Sequence, residues 1–206
     1  IDAVSATLKA LEFNATSNAV DWTLNGAGVS LVAPAEVSIA TANEAVLAVP
    51  VAGSAGLTKK GPGYLLLSGS NTVSGALRVE GGMVRVQDDA ALGPVPATLD
   101  PAAIYLNGGG LSNARTNATV HLNRGITVGP LHGWFLARYY SPFVLNSQIT
   151  GTGNLLITRQ SERVWFMNPS NTYSGNLTLG ADGRGRWDSP DARSIVGLGA
   201  TNVLPY

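Results

Sequence analysis

The chain has 206 residues, 13 Lys+Arg against 13 Asp+Glu, 25 Gly, 11 Pro and no Cys. It is long enough to bury its own core, and without cysteine it has no disulfide framework, thiol nucleophile, haem attachment or Cys-ligated zinc. The formal charge of zero leaves no electrostatic footprint for nucleic acid, and no apolar run reaches the roughly 18 residues of a spanning helix, so neither a nucleic-acid partner nor a membrane-embedded segment is expected.

Charged residues make up 13% and hydrophobic residues 45%, a balance that argues for an ordered chain. The chain begins at Ile1 without Met or a signal-type segment and is read as a piece of a longer protein. Short apolar runs follow in order at 29–32, 45–51, 104–106, 126–128 and 155–158, each bounded by Gly, Asn or Pro. Residues 35–49 come closest to helical periodicity, but their Val-Ser-Ile-Ala-Thr centre reads as strand. Residues 77–80 and 84–87 alternate apolar with polar around Gly81-Gly82, the period-2 pattern of strands with one buried face. Residues 134–143 break the alternation and run into Pro142, which predicts a projecting aromatic loop. Almost no helix is expected.

The chain also repeats itself. Ser70-Asn71-Thr72-Val73-Ser74-Gly75-Ala76-Leu77 recurs as Ser170-Asn171-Thr172-Tyr173-Ser174-Gly175-Asn176-Leu177, with six identities in eight. Flanking pairs extend the match: Gly53 with Gly153, Thr58 with Thr158, Lys59 with Arg159. The reading is one segment over 1–206 holding two related units of about 100 residues, sharpest at 53–93 and 153–199. Low charge and Asn-rich corners fit a β-solenoid, whose stacked coils cover one another. A β-sandwich pair is the alternative, although Asn-Gly and Asp-Gly hairpin dipeptides occur only at Asn25, Asn107 and Asp182. In the solenoid, Leu65, Leu67, Leu77, Val79, Val84, Val86, Leu177 and Leu179 point inward. Coils of roughly 20–25 residues stacked about 4.8 Å apart give a body about 40 Å long.

The segment Gly56-Leu57-Thr58-Lys59-Lys60-Gly61-Pro62-Gly63-Tyr64-Leu65-Leu66-Leu67-Ser68-Gly69-Ser70-Asn71-Thr72-Val73-Ser74-Gly75, followed by Gly81-Gly82-Met83-Val84-Arg85-Val86, resembles the autotransporter-associated β-strand repeat, also called the passenger-associated transport repeat. The family pattern is Gly-Leu-Thr-Lys-x-Gly-x-Gly-x-Leu-x-Leu-Ser-Gly-x-Asn-Thr-Tyr-x-Gly. The first copy departs mainly at Val73; the second restores Tyr173 and loses the Lys-x-Gly-x-Gly entry. The resemblance implies a right-handed parallel β-helix in a long exported bacterial surface protein, extracellular or on the cell surface. The family's membrane β-barrel has no counterpart in these residues.

The chemistry-bearing residues point away from catalysis. Asp88 and Asp89 form the only adjacent acidic pair and read as a solvated turn. From 101 to 161 there is no Asp or Glu, so a two-carboxylate glycosidase site cannot be built in the central coils. Neither His121 nor His132 has an acidic neighbour to orient it in a triad. The Gly-x-Gly pairs lack the strand-loop-helix context of a phosphate cradle. Asp182, Asp188 and Asp191 are the nearest approach to a calcium loop, with Arg184 and Arg186 among them. No enzyme, metal or cofactor is expected.

What remains is a stretch where arginine and aromatic rings coincide. Trp134, Arg138, Tyr139, Tyr140, Arg159, Arg163 and Trp165 are the candidate glycan-binding or interface residues, because rings stack on pyranose faces and guanidinium pairs with carboxylate. The same aromatics could instead fill a wider coil or cover an assembly interface. The expected function is a non-enzymatic rod, assembly or adhesion element whose partners are adjoining segments of its own chain or further copies. A module for acidic polysaccharide is the alternative.

Overall fold

The structure, a computed structural model, describes residues 6–7, 9–14, 21–114, 116–138, 141–158, 163–181 and 196–199. Short strands pair only with strands one coil before or after them, and every pairing between them is parallel. That is a β-solenoid, and it excludes the sandwich, whose sheets are antiparallel.

Three faces run the length of the stack. The first carries Ala10–Phe13, Ala35–Ile39, Leu57–Lys60, Leu77–Val79, Asp100–Leu106, Arg124–Val128 and Ile149–Gly151. The second carries Trp22–Leu24, Glu44–Leu47, Tyr64–Leu67, Gly82–Val86, Gly109–Asn113, Gly133–Leu136, Leu155–Thr158 and Leu177–Ala181. The third is in two parts. Ala6–Thr7, Val29–Ser30, Val51–Gly53 and Thr72–Val73 form its first part, and Ala118–Val120, Phe143–Leu145, Val164–Phe166 and Val196–Leu198 its second. Between them the chain makes a 3₁₀ turn, Asp89–Leu92, instead of a strand. Among the described residues there is no α-helix.

Coil length varies around the expected figure. Leu65 pairs with Val84, a coil of 19 residues, and Val84 with Leu111, one of 27. The long coil is the one that contains the 3₁₀ turn. Eight strands at about 4.8 Å each make the second face about 35–40 Å long.

The interior is one continuous apolar column. Of the residues expected to face inward, Leu65, Leu67, Leu77, Val79, Val84 and Val86 are buried, and Leu177 is partly buried against the column. Leu179 is 52% exposed. It pairs with Ile157 on the last described strand of the second face, so no described coil covers it from beyond. Later coils are filled by rings: Phe135 meets Phe143 at 6.5 Å and Phe166 at 6.0 Å between centroids, both edge-on. These three phenylalanines pack rather than project.

The strand Gly133–Leu136 corrects the expected 134–143 loop. Of the described residues there, only 137, 138, 141 and 142 leave the strand pattern, before Phe143–Leu145 begins. The alternation is hidden there because the outer side of the sheet is also covered: Met83 and Leu136 face outward yet are 4% and 6% exposed.

Candidate functional site

The polar groups inside the stack hold coils together. Lys59 shares the inward register of Leu57 and is fully buried. Its ammonium donates to the carbonyl oxygens of Lys60 at 2.5 Å, Gly61 at 2.8 Å and Gly81 at 3.2 Å. One side chain thus closes the corner between the first and second faces in two successive coils. Burial pushes its pKa down to about 7, while three carbonyls facing the three hydrogens of an ammonium oppose that shift.

The repeated asparagines act as brackets. Asn71 Oδ1 accepts from Val51 N at 2.8 Å, one coil back, and its Nδ2 donates to Ala91 O at 2.6 Å, one coil on. Asn171 Oδ1 accepts from Ile149 N at 2.7 Å in the same manner. The corners therefore stack through side chain to backbone bonds rather than through asparagine rows. The two copies sit one face apart: Asn71 leads into Thr72–Val73 on the third face, whereas Thr172 and Tyr173 hydrogen-bond to Ile149 on the first. Burial raises the Tyr173 pKa.

Of the acidic pair, Asp88 is the exposed turn residue expected, while Asp89 is half-buried and paired. Asp88 caps the 3₁₀ turn by accepting from Ala91 N at 3.2 Å. Asp89 binds the buried Arg124 Nε at 3.0 and 3.1 Å and accepts from the backbone N–H of His121 at 2.9 Å. Arg124 also donates to the carbonyls of Leu92 and Gly93. The Asp89 and Arg124 contacts anchor the long coil to the next. Arg124→Gln should therefore cost about 3–5 kcal/mol in urea unfolding, since it strands a carboxylate beneath the fold. A double-mutant cycle with Asp89→Asn should show strong coupling.

His121, Asp89 and Ser147 come close without forming a triad. The His121 ring accepts from Asn123 N at 3.0 Å, the carboxylate meets the His121 backbone, and Ser147 Oγ reaches only its carbonyl at 3.5 Å. A relay needs the ring itself between acid and nucleophile. Among the described residues no group of three or more His, Asp or Glu is placed to hold a metal. The Asp182, Asp188 and Asp191 stretch lies outside the described residues.

Among the described residues, the arginine and aromatic candidates fall on two different faces. Trp134 stands on the outer side of the second face, and Arg138 follows just after its strand. Trp165 stands on the outer side of the third face, where it lies against Gly197; a Cβ there would be 2.0 Å from its ring. Arg163, exposed, precedes the strand of Trp165. Tyr139, Tyr140 and Arg159 lie outside the described residues.

Sequence reasoning missed the partners that the fold brings to Trp134 and Arg138. Arg85 emerges on the same outer side, pairs with Glu44, and lies with its guanidinium 3.9 Å from the Tyr64 ring centroid. Burial, then the nearby Arg138, lowers its pKa. His132 stacks on Trp134, with centroids 6.0 Å apart and planes within 5°. It is the one described non-glycine residue at positive φ, 67°. No local signal pairs Glu44 with Arg85, which are 41 residues and two coils apart.

These features define a rod of stacked coils with one decorated outer face. Over 133 residues the chain is 35% identical to "Adhesin BmaC autotransporter" of Brucella suis biovar 1 (strain 1330). The match covers 65% of this chain and 4% of that protein. This weak homology and the solenoid together are consistent with an autotransporter-associated repeat protein. No family model matches the chain, and no solved structure matches it. No helix among the described residues is long and apolar enough to cross a membrane.

Proposed function

We propose that the chain is a structural rod within the passenger of an exported bacterial surface protein, holding adhesive parts of a longer chain away from the cell. The observation that carries this reading is the unbroken second face, eight parallel strands over a single apolar column. Such a stack resists bending because each coil is bonded along its length to both neighbours. Buried locks at Lys59, Asn71, Asn171 and Arg124 add to that stiffness. The units at 53–93 and 153–199 are one design used twice, extending the rod by adding coils. Similarity to an adhesin passenger supports an extracellular or cell-surface location and a mechanical role in adhesion.

Its partners are further coils of the same chain or other copies. At one end the inward residues Leu11, Phe13, Trp22 and Leu24 are only partly buried. The strands Ala10–Phe13 and Trp22–Leu24 end their sheets with unpaired edges among the described residues. Residues 1–206 produced alone should therefore self-associate end to end, with scattering and sedimentation showing particles that lengthen with concentration at constant cross-section. A compact monomer of constant shape at all concentrations would overturn the rod.

A further inference from the structure

The second part of the third face carries a ring laid flat on the rod. Its outward row runs Thr119, Val144, Trp165, Gly197 in register across four strands. An added Cβ at Gly197 would meet Cε3, Cδ2 and Cζ3 of Trp165 at nearly equal, very short distances. Three consecutive ring atoms so placed put that point over the face of the indole, because beyond the edge of the ring the middle atom would be much the nearest. Trp165 therefore rests one face on the backbone of Gly197 and turns the other outward, and its side chain is half-buried. Met167 fills the space over Gly199 in the same manner. A larger residue at either glycine would lift these side chains off the strand.

Two observations indicate what the ring would take. The first is charge. Arg163 and Trp165 flank the buried Val164, so both project from the outer side. The carbonyl of Arg163 accepts from Phe143 N at 2.9 Å, which ties its backbone into the stack, while its side chain is exposed and has no acidic partner among the described residues. The strands beneath it on this face belong to 101–161, a stretch without Asp or Glu. An anion is favoured beside the ring. The second observation is size. The rest of the row is the exposed Thr119 and the half-buried Val144, so one ring and one cation stand on a narrow strip. That falls far short of the roughly 800 Å² per partner of a stable protein interface, and it suits a single sugar.

We propose that Trp165 and Arg163 form a subsite for the carboxylate-bearing sugar of an acidic polysaccharide, the pyranose on the outward face of the indole and the carboxylate at the guanidinium. The fork of an arginine matches a carboxylate with two parallel bonds, and a flat ring matches the apolar face of a pyranose. An indole already seated on Gly197 loses little freedom when the sugar arrives. A saccharide laid along the rod reaches the Thr119 hydroxyl two strands away, about 9–10 Å, where it can donate or accept. The inference rests on the reading of the rod as a surface-displayed element.

The test is calorimetric titration of residues 1–206 with oligogalacturonate, with neutral dextran, which lacks the carboxylate, and with polyglutamate, which lacks the sugar ring. Saturable binding is expected for oligogalacturonate, with the other two at least about tenfold weaker. Arg163→Gln changes an exposed side chain and should leave the fold intact; it should weaken binding about tenfold and flatten its salt dependence. Trp165→Ala should weaken binding about tenfold at unchanged salt dependence, and Gly197→Ala, which keeps the indole but removes its seat, should do the same. Absence of binding to oligogalacturonate, equal binding to polyglutamate, or full affinity in Arg163→Gln or in a folded Trp165→Ala variant would overturn the proposal. So would substitutions that stop the particles lengthening and leave saccharide binding unchanged, since the strip would then join copies of the chain. A lengthening rod that binds no saccharide would sink this site and leave the structural reading intact. A compact particle would sink the rod whatever the titration showed.

Discussion

Lys59→Met should cost about 3–5 kcal/mol of unfolding free energy, because it leaves three carbonyls without their donor. The wild-type ammonium serves three carbonyls of half-buried corner residues, Lys60, Gly61 and Gly81. Methionine has a similar length and flexibility, so the column stays filled while those carbonyls lose their donor. The same residue should make stability depend on pH. In the folded chain its pKa is lowered to about 7, and in the unfolded chain it returns to about 10.4. Between those values the unfolded chain holds a proton that the folded chain has released, so stability rises as pH climbs from 7 toward 10. Below pH 7 both states are protonated and the burial penalty is present in full. Urea midpoints at pH 6, 8 and 10 should rise for the wild type, after correction for the profile of the Met variant. A flat difference would show that the carbonyls keep the ammonium charged throughout.

The lysine also shows where sequence reading stops. Strands were legible because inward and outward residues differ in polarity: Leu77, Val79, Val84 and Val86 alternate with arginines, and the structure buries all four. Gly and Asn marked the corners because the chain turns there with backbone that other residues adopt at a cost. Lys59 follows the same period two residues after Leu57, but a lysine in an inward position reads as an exposed one. Its position was available; its three carbonyls, one of them 22 residues away, were not. Asp89 and Arg124 were hidden for the same reason, being 35 residues apart in sequence and adjacent in the stack.

The candidate surface was legible in part. Trp134 and Arg138 stood out by composition; the fold stacks His132 on Trp134 and brings the charge of Arg138 near that of Arg85. Trp165 stood out equally and belongs to another face. The distinction depends on the number of residues per corner, because two or three extra residues turn a side chain onto the next face. The repeated Ser-Asn-Thr motif makes the point: its copies are 100 residues apart in sequence, yet Asn171 begins a strand path one face further round than Asn71. Gly53 likewise finds its counterpart in Gly151 rather than Gly153, since Ser74 N donates to Gly53 O and Ser174 N to Gly151 O, each at 2.9 Å.

Gly53 and Gly151 therefore offer a matched test of corner geometry, and alanine at either should cost about 3–5 kcal/mol. Both have φ in the left-handed half of the map, +119° and +106°. An alanine Cβ would stand 2.2 Å from Leu31 O in the first case and 2.1 Å from Val128 O in the second. Those oxygens belong to the backbone of the coil below, so relief requires moving a coil that is itself bonded on both sides. Gly108 separates the two contributions. Its φ is +89°, but the nearest atoms to an added Cβ are 3.6 Å away, so Gly108→Ala bears the backbone preference alone, about 1 kcal/mol. If corners are set by close stacking of coils, urea unfolding should rank both tightly stacked corners well below Gly108→Ala, with Gly53→Ala and Gly151→Ala alike. Equal losses at all three would assign the glycines to dihedral preference alone and leave the coil spacing to the strands.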